Sequence, residues 1–325
     1  MKSYEEFKQF YDAELLPGLQ PMEAERKKLI RCFFLIAFTP ALCIALKLFL
    51  VFQKHFNIYF FLIILFFTLF AAGLSAFAFY VIYGKRLVAL KKRFRNEVIA
   101  KMVKFLDKSL TYSPEEFISK SEYEKSKLFL TGIVDYSGHS LVSGKIGKTS
   151  VRFSEIHSEH KTGPKDRNLL QVIFAGIFFT ADFNKYFKTS TVILPDTAEN
   201  LFGSFGTELQ KMNLSRDRFV KMEDSEFEKL FVVYSEDQTE ARYLLSPALM
   251  QQITGLRKKT GKNIYLSFAE SRLHIAVRTG GNLFEAPFFH SMLDSTVINE
   301  YFHYLKLMHG ITEELDLNTR IWTKE

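Results

Sequence analysis

The chain has 325 residues, 47% of them hydrophobic, and its 35 Phe crowd toward the first quarter. A formal net charge of +7 would ordinarily raise nucleic acid as a partner, but residues 1–109 hold 17 Lys and Arg against 8 Asp and Glu, leaving 26 against 28 for 110–325. The near-neutral remainder lacks the cationic face that neutralises phosphates, so nucleic acid is excluded as a partner. Cys32 and Cys43 are the 2 cysteines, both in or beside the first apolar run, which leaves no disulfide framework or cysteine zinc site for the rest of the chain. That usage suits a reducing compartment.

In chain order, SYEEFKQFYDAELL (3–16) spaces Tyr4, Phe7, Tyr11 and Leu15 as a helix does, with Ser3 as cap and Glu6 three residues on. Pro17-Gly18 is expected to end that helix. Its polar face carries more acids than bases, so it is expected to dock onto the later domain rather than lie on a membrane. The next element is CFFLIAFTPALCIALKLFLVF, residues 32–52, which as a helix covers about 30 Å of hydrocarbon. Pro40 is tolerable there, and Lys47 is expected to snorkel to the interface. Residues 58–83 form a second apolar run without a charge, with Tyr59, Tyr80 and Tyr83 near its ends. The link over 53–57 is short enough to force an antiparallel hairpin. Two buried helices of a soluble protein would instead need a core covering apolar surface on almost every side.

Basic residues set the expected orientation. Arg26, Lys27, Lys28 and Arg31 precede the first run, and Lys85, Arg86, Lys91, Lys92, Arg93 and Arg95 follow the second, while the link offers only Lys54 and His55. Lys and Arg are retained on the cytoplasmic side, so both termini are expected there, with these ten cations at the membrane surface. A cleaved signal peptide is disfavoured by the 31 residues ahead of the first run. Residues 84–110 continue as a basic amphipathic helix, with Leu87, Leu90, Phe94, Val98, Met102 and Phe105 on its apolar face.

Beyond that, Ser113-Pro114 is expected to open a short helix. Residues 140–147 and 149–157 alternate around Gly147-Lys148, a hairpin signature. LLQVIFAGIFFTAD (169–182) reads as a strand with Gly176 as a bulge or close-packing point. Strands are expected at 191–194, 231–235, 264–268 and 273–277, with helices after Ser246-Pro247 and over 295–309. The fold class expected is α+β: a two-helix transmembrane hairpin, then a mainly antiparallel sheet with packed helices. Its parts are 1–31 (N-terminal helix and basic flank), 32–83 (hairpin), 84–110 (juxtamembrane helix) and 111–325 (cytoplasmic domain).

Several strings here are distinctive: SGKIGKT (143–149), RFSEIH (152–157), GIFFTADFNKYF (176–187), FEKLFVVYSEDQTEARYLLSPALM (227–250) and ELDLNTRIW (314–322). They resemble the bacterial family called domain of unknown function 3137, and a pair of hydrophobic segments ahead of them also fits. The resemblance implies a bacterial protein at the inner membrane and implies no activity, cofactor or catalytic residue.

The chemistry that remains is sparse. Glu155, His157 and Glu159 alternate on one strand face, with His160 and His139 nearby, and residues so spaced can hold a transition metal. An exposed strand edge running into Thr162-Gly163-Pro164 is the stronger reading, since no HExxH or Cys/His zinc spacing is present. Asp182, Asn184 and Lys185 end the most apolar strand and read as turn chemistry. Asp237 reads as an N-cap, with Arg242 as its ion-pair partner. The glycines of 144–149 lack phosphate-loop spacing and sit in a hairpin. No cofactor is expected. The function expected is a membrane-anchored binding or scaffold module engaging a protein partner or lipid headgroups. The alternatives are a membrane-bound hydrolase or metal-dependent enzyme, and an accessory subunit of a larger membrane complex, suggested by the small residues Gly73, Ser75 and Ala76.

Overall fold

The computed structural model describes residues 2–52, 58–162, 169–183, 187–196, 219–280, 283–315 and 317. They fall into two compact units. One comprises Met1–Lys2, Met102–Phe284 and Glu300–Glu325, and the other Ser3–Lys101 and Glu285–Asn299.

The second unit is helical. Ser3 caps Tyr4–Phe10 in a full capping box: its hydroxyl accepts the Glu6 N–H at 3.1 Å, and its own N–H donates to the Glu6 carboxylate at 2.8 Å. The helix does not stop at Pro17-Gly18 as expected. It passes through one π-turn, Tyr11–Leu15, and runs on as Leu16–Phe52. The Leu16 N–H donates to the Tyr11 carbonyl, five residues back. That widened turn falls just where Pro17 brings a missing donor and a ring that crowds the preceding turn, and so the helix survives the proline.

The next helix, Ile58–Phe94, packs against Leu16–Phe52. A second π-turn, Arg95–Ile99, carries it into Ala100–Leu106, so the helix continues past residue 84 as expected but ends at Leu106, short of 110. Among the described residues one helical stretch, Leu65–Leu106, is long and apolar enough to cross a membrane. Its apolar side chains lie open over the first run: Phe66, Phe70, Leu74 and Phe77 are each more than 60% exposed. At several positions from 37 to 64, Pro40, Cys43 and Lys47 among them, and through the link 53–57, the expectations fall outside the described residues or side chains.

The first unit is built on a sheet. Among the described residues nine strands form it: β1 (Thr111–Ser113), β2 (Asp135–Ile146), β3 (Thr149–Thr162), β4 (Leu169–Asp182), β5 (Thr191–Pro195), β6 (Phe219–Val220), β7 (Phe231–Ser235), β8 (Ile264–Ala269) and β9 (Arg272–Arg278). The order is β1-β2-β3-β4-β9-β8-β5-β7-β6, with every neighbouring pair antiparallel. The β2–β3 hairpin turns at Gly147, whose φ of 61° suits glycine. The β8–β9 turn uses Glu270 and Ser271, also at positive φ. Gly176 is a close-packing point, as expected: a Cβ there would meet the Val277 carbonyl oxygen at 2.1 Å, so only glycine lets β4 and β9 approach.

The central strands are buried on both faces: all of β5 and β8, and Ile173–Ala181 of β4, lie inside. On one face Phe174, Phe178, Tyr265 and Ala276 meet Ile118, Tyr123, Leu128 and Phe129 from the segment between β1 and β2. That segment holds the short helix Lys120–Lys125, capped by Ser119. The helix expected to open at Ser113-Pro114 is therefore displaced: Thr111–Ser113 pairs with β2 instead, and the Pro114 and Glu116 carbonyls accept the Ser140 and Leu141 N–H groups. Pro247–Thr260 starts on the Ser246 cap and ends at Gly261 in the left-handed conformation. The last described helix is Ser295–Glu314. In this unit its Tyr301, Phe302, Leu305 and Met308 are buried, with Phe302 6.1 Å from Phe105 between ring centroids.

Candidate functional site

In the sheet unit the strand face of Glu155, His157 and Glu159 was the leading chemical candidate. The register sets Glu155 opposite His139, and the His139 Nε2 lies 3.8 Å from the carboxylate. Glu155 is 3% exposed, and its oxygens accept backbone N–H groups from Leu283 at 2.9 Å and Phe284 at 3.2 Å. His157 meets Glu159 at 2.8 Å, apart from that anchor. A bulge between Ser158 and Glu159 shifts the alternation, and His160 is buried. Among the described residues no group of three His, Cys, Asp or Glu side chains is gathered as a metal ion requires. Glu155 thus acts as a local anchor: a buried carboxylate satisfied by two amides holds the chain at 283–284.

Asp182 ends β4 as expected, with the next N–H, that of Phe183, donating to the Ser271 carbonyl at 3.1 Å; Asn184 and Lys185 lie outside the described residues. Asp237 is the N-cap expected, accepting from the Thr239 and Glu240 N–H groups at 2.8 and 3.0 Å. The carboxylate that reaches across is Glu240, which takes the Lys188 and Thr189 N–H groups at 2.7 and 2.8 Å and is held below the ordinary carboxylate range by its Thr189 and Lys188 hydrogen bonds, against an opposing push from burial.

Arg242 instead lines a recess of about 360 Å³ with Lys221, Met222, Glu223, Asp224, Leu245, Pro247 and Met250. Its floor is thioether and aliphatic, and its rim carries both signs of charge. Tyr243 and Phe219, 54% and 56% exposed, flank it in sequence. Sequence reasoning missed this recess because its members come from two separate stretches, 221–224 and 242–250. Apolar centre, charged rim and adjacent exposed aromatics are what a protein–protein contact requires.

In the helical unit the ten basic residues divide. Lys27, Lys28, Arg31, Lys85, Arg86, Lys92 and Arg93 are exposed, and Lys91 is half-buried. Arg26 and Arg95 are 6% and 8% exposed, which corrects the expectation that all ten face the membrane surface. Both are turned inward because the segment 285–293 supplies partners that the local sequence does not reveal. Arg26 makes paired contacts to Glu23 at 2.7 and 2.8 Å, and its other nitrogen donates to the Phe288 carbonyl at 2.7 Å. Glu23 also accepts the Met292 N–H at 2.9 Å. The Arg26 hydrogen bonds pull the Glu23 carboxyl down to about 2, against the opposing push of burial, with the Met292 amide helping. Tyr11 donates to the Leu293 carbonyl at 3.3 Å, Lys91 pairs with Glu285, and Arg95 lies 3.5 Å from the same carboxylate. The segment is therefore fastened along its length by five residues of the helices, Tyr11, Glu23, Arg26, Lys91 and Arg95.

Above the clamp the rings of Phe33, Phe79, Phe288 and Phe289 gather. Gly73 has nothing described within 4 Å of where a Cβ would stand.

These features define a mixed helix and antiparallel-sheet protein, with one described helix long and apolar enough to cross a membrane. Residues 172–317 match the family model described as Protein of unknown function (DUF3137), the family that the strings resemble. The strings at 143–149 and 152–157 lie ahead of that match. No curated protein matches the chain. Among solved structures, the crystal structure of the mycobacterial trehalose monomycolate transport factor A, TtfA, aligns at 10% identity and a TM-score of 0.32, covering 67% of this chain and 96% of that one. At that score the likeness bears on neither fold nor function.

Proposed function

We propose that the chain is a membrane-anchored binding module of the bacterial inner membrane. In this reading both apolar runs cross the bilayer as a hairpin, both termini are cytoplasmic, and the sheet unit presents its recess to a protein partner. The observation that carries the reading is the distribution of exposure in the helical unit. Most described rings and aliphatic side chains from Phe34 through Leu46 and from Ile58 through Ile82 stand open, the buried Phe79 excepted, while Glu23, Arg26 and Arg95 are buried. A helix in water does the reverse, because exposed apolar area costs about 25 cal/mol per Å². The exposed cations flanking both runs favour the cytoplasmic side for both ends.

The recess at Arg242 supports the binding role: it combines an apolar floor with charges that would fix a partner's register. Reporter fusions at the C-terminus and within 53–57 test the topology; opposite sides are expected, and a periplasmic C-terminus overturns it. A photo-crosslinking side chain at Tyr243 in cells tests the partner. A discrete adduct lost in Arg242→Glu is expected, and no adduct beyond that from a crosslinker at Lys148 counts against the binding role.

A further inference from the structure

The segment that begins at Glu285 holds a pair of rings, one packed and the other left open. Phe288 is half-buried, its ring 4.9 Å from that of Phe289, 6.2 Å from Phe33 and 6.4 Å from Phe79. Phe289 lies 6.1 Å from Phe33 and is still 66% exposed. An exposed Phe on a surface loop is ordinarily free to turn away or be replaced by a polar residue. Here the backbone on either side is fixed, by Arg26 on the Phe288 carbonyl and Glu23 on the Met292 N–H. The clamp thus holds a bare aromatic ring in one place on the flank of the two long helices.

Its level along those helices is informative. Phe33 stands two residues after Arg31, where the cations of the first flank give way to the apolar run. Phe79 stands six residues before Lys85, where the second run gives way to its own cations. At about 1.5 Å of rise per residue, the Phe33 and Phe79 rings mark a plane within about 9 Å of both sets of charges. Exposed apolar side chains continue away from the cations on both helices, Phe34, Leu35 and Phe38 on one and Leu74 and Phe77 on the other. The Arg86 guanidinium lies 5.8 Å from the Tyr83 ring centroid, on the charged side of the same plane. Aromatic rings bordered by cations on one side and aliphatic surface on the other are what the boundary between headgroups and acyl chains selects.

We propose that Phe288 and Phe289 form a third membrane contact, a short interfacial wedge contributed by the distal segment 285–293 and seated at the headgroup–acyl boundary beside the hairpin. This rests on the hairpin lying in a bilayer. Its consequence is that a stretch some 200 residues away in sequence from the apolar runs is itself a lipid-binding element, and the occupant of the exposed Phe289 surface is lipid.

The test uses the full chain reconstituted in vesicles of phosphatidylcholine with phosphatidylglycerol. The chain has 1 Trp, Trp322, so Trp322→Phe gives a silent background. Phe289→Trp, Phe70→Trp and Tyr243→Trp are then compared. Phe289 is mostly exposed, so the exchange leaves the packed clamp intact. Expected for Trp at 289 is blue-shifted emission that is lost chiefly to lipids brominated near the headgroup end of the chain and is shielded from aqueous acrylamide. Trp at 70 should lose its emission chiefly to lipids brominated toward the chain end, and Trp at 243 to acrylamide alone. If 70 is quenched by lipid and 289 only by acrylamide, the wedge is overturned and the hairpin stands. If neither responds to brominated lipid, the hairpin reading fails and the wedge with it.

Discussion

The two units solve the problem of side-chain exposure in opposite ways. In the sheet unit Phe153, Phe174, Phe178, Phe179 and Phe268 are fully buried, and the charges lie outside or cap backbone. In the helical unit Phe66, Phe70 and Phe77 stand open, and a glutamate and two arginines are inside. One chain cannot follow both patterns in a single solvent, because the same apolar surface that drives folding in one unit would drive aggregation in the other. The difference says that the open apolar stretch from Leu65 to Phe77 is suited to a medium other than water, and that the charged base of the unit, at 23–26 and 95, is where polar chemistry holds it together.

The comparison can be broken most sharply at the buried ion pair. Arg26→Ala leaves Glu23 buried without its cation and the Phe288 carbonyl without its donor, and should cost about 4 kcal/mol. Hydrogen exchange across 286–292 in detergent micelles would show it as lost protection confined to that stretch; unchanged exchange would mean the clamp is inert. Phe70→Asp asks the solvent question directly. In water an exposed substitution stays within about 0.5 kcal/mol, but near the centre of a span Asp costs about 3 kcal/mol. Carbonate extraction should move the variant protein from pellet to supernatant.

Two pH windows should separate the units. The folded pKa of Glu23 is depressed to about 2, so its contribution is complete above the unfolded value near 4.5 and is lost as pH falls from there toward 2. At about 1.4 kcal/mol per unit that amounts to about 3 kcal/mol. His274 lies in β9 with its ring near-parallel to Phe178. Burial lowers its pKa to about 4, with the nearby Arg272 adding to the effect. Its neutral form is the folded one, so stability is complete above about 6.5 and falls by up to about 3 kcal/mol as pH drops toward 4. Near-ultraviolet circular dichroism at pH 4.5 should therefore report a weakened sheet unit while exchange in 286–292 is still slow. His274→Phe should flatten the window between about 6.5 and 4 and leave that of Glu23. The smallest effect expected is at the cap of 238–244: Asp237→Ala frees two N–H groups and should lower thermal stability by about 1 kcal/mol.

Much of the sheet was legible because its signals are local. Gly147-Lys148 between two alternating runs, Ser246-Pro247 ahead of a helix and Gly261 after it each act within a few residues. What was hidden depends on distance. Nothing near Pro17 announces that a π-turn will absorb it, since the widened turn is set by the helix on both sides. Nothing near Ser113 announces that β2 will claim it as a strand. Glu155 reads as a possible ligand until Leu283 and Phe284 arrive from 128 and 129 residues away. Arg26 reads as a lipid contact until Phe288 does the same from 262 residues away. Charge type was readable throughout; which partner each charge would meet was not.

The helix Leu16–Phe52 has no joint between Glu23 and the apolar run. From Glu23 to Phe38 is about 22 Å of uninterrupted helix, with hydrogen bonds at Glu23 and Arg26 gripping a loop at one end and open phenyl rings at the other. Such a rod transmits tilt. A bilayer that thins or thickens around the rings would swing the grip through the same angle, and the loop 285–293 would move with it.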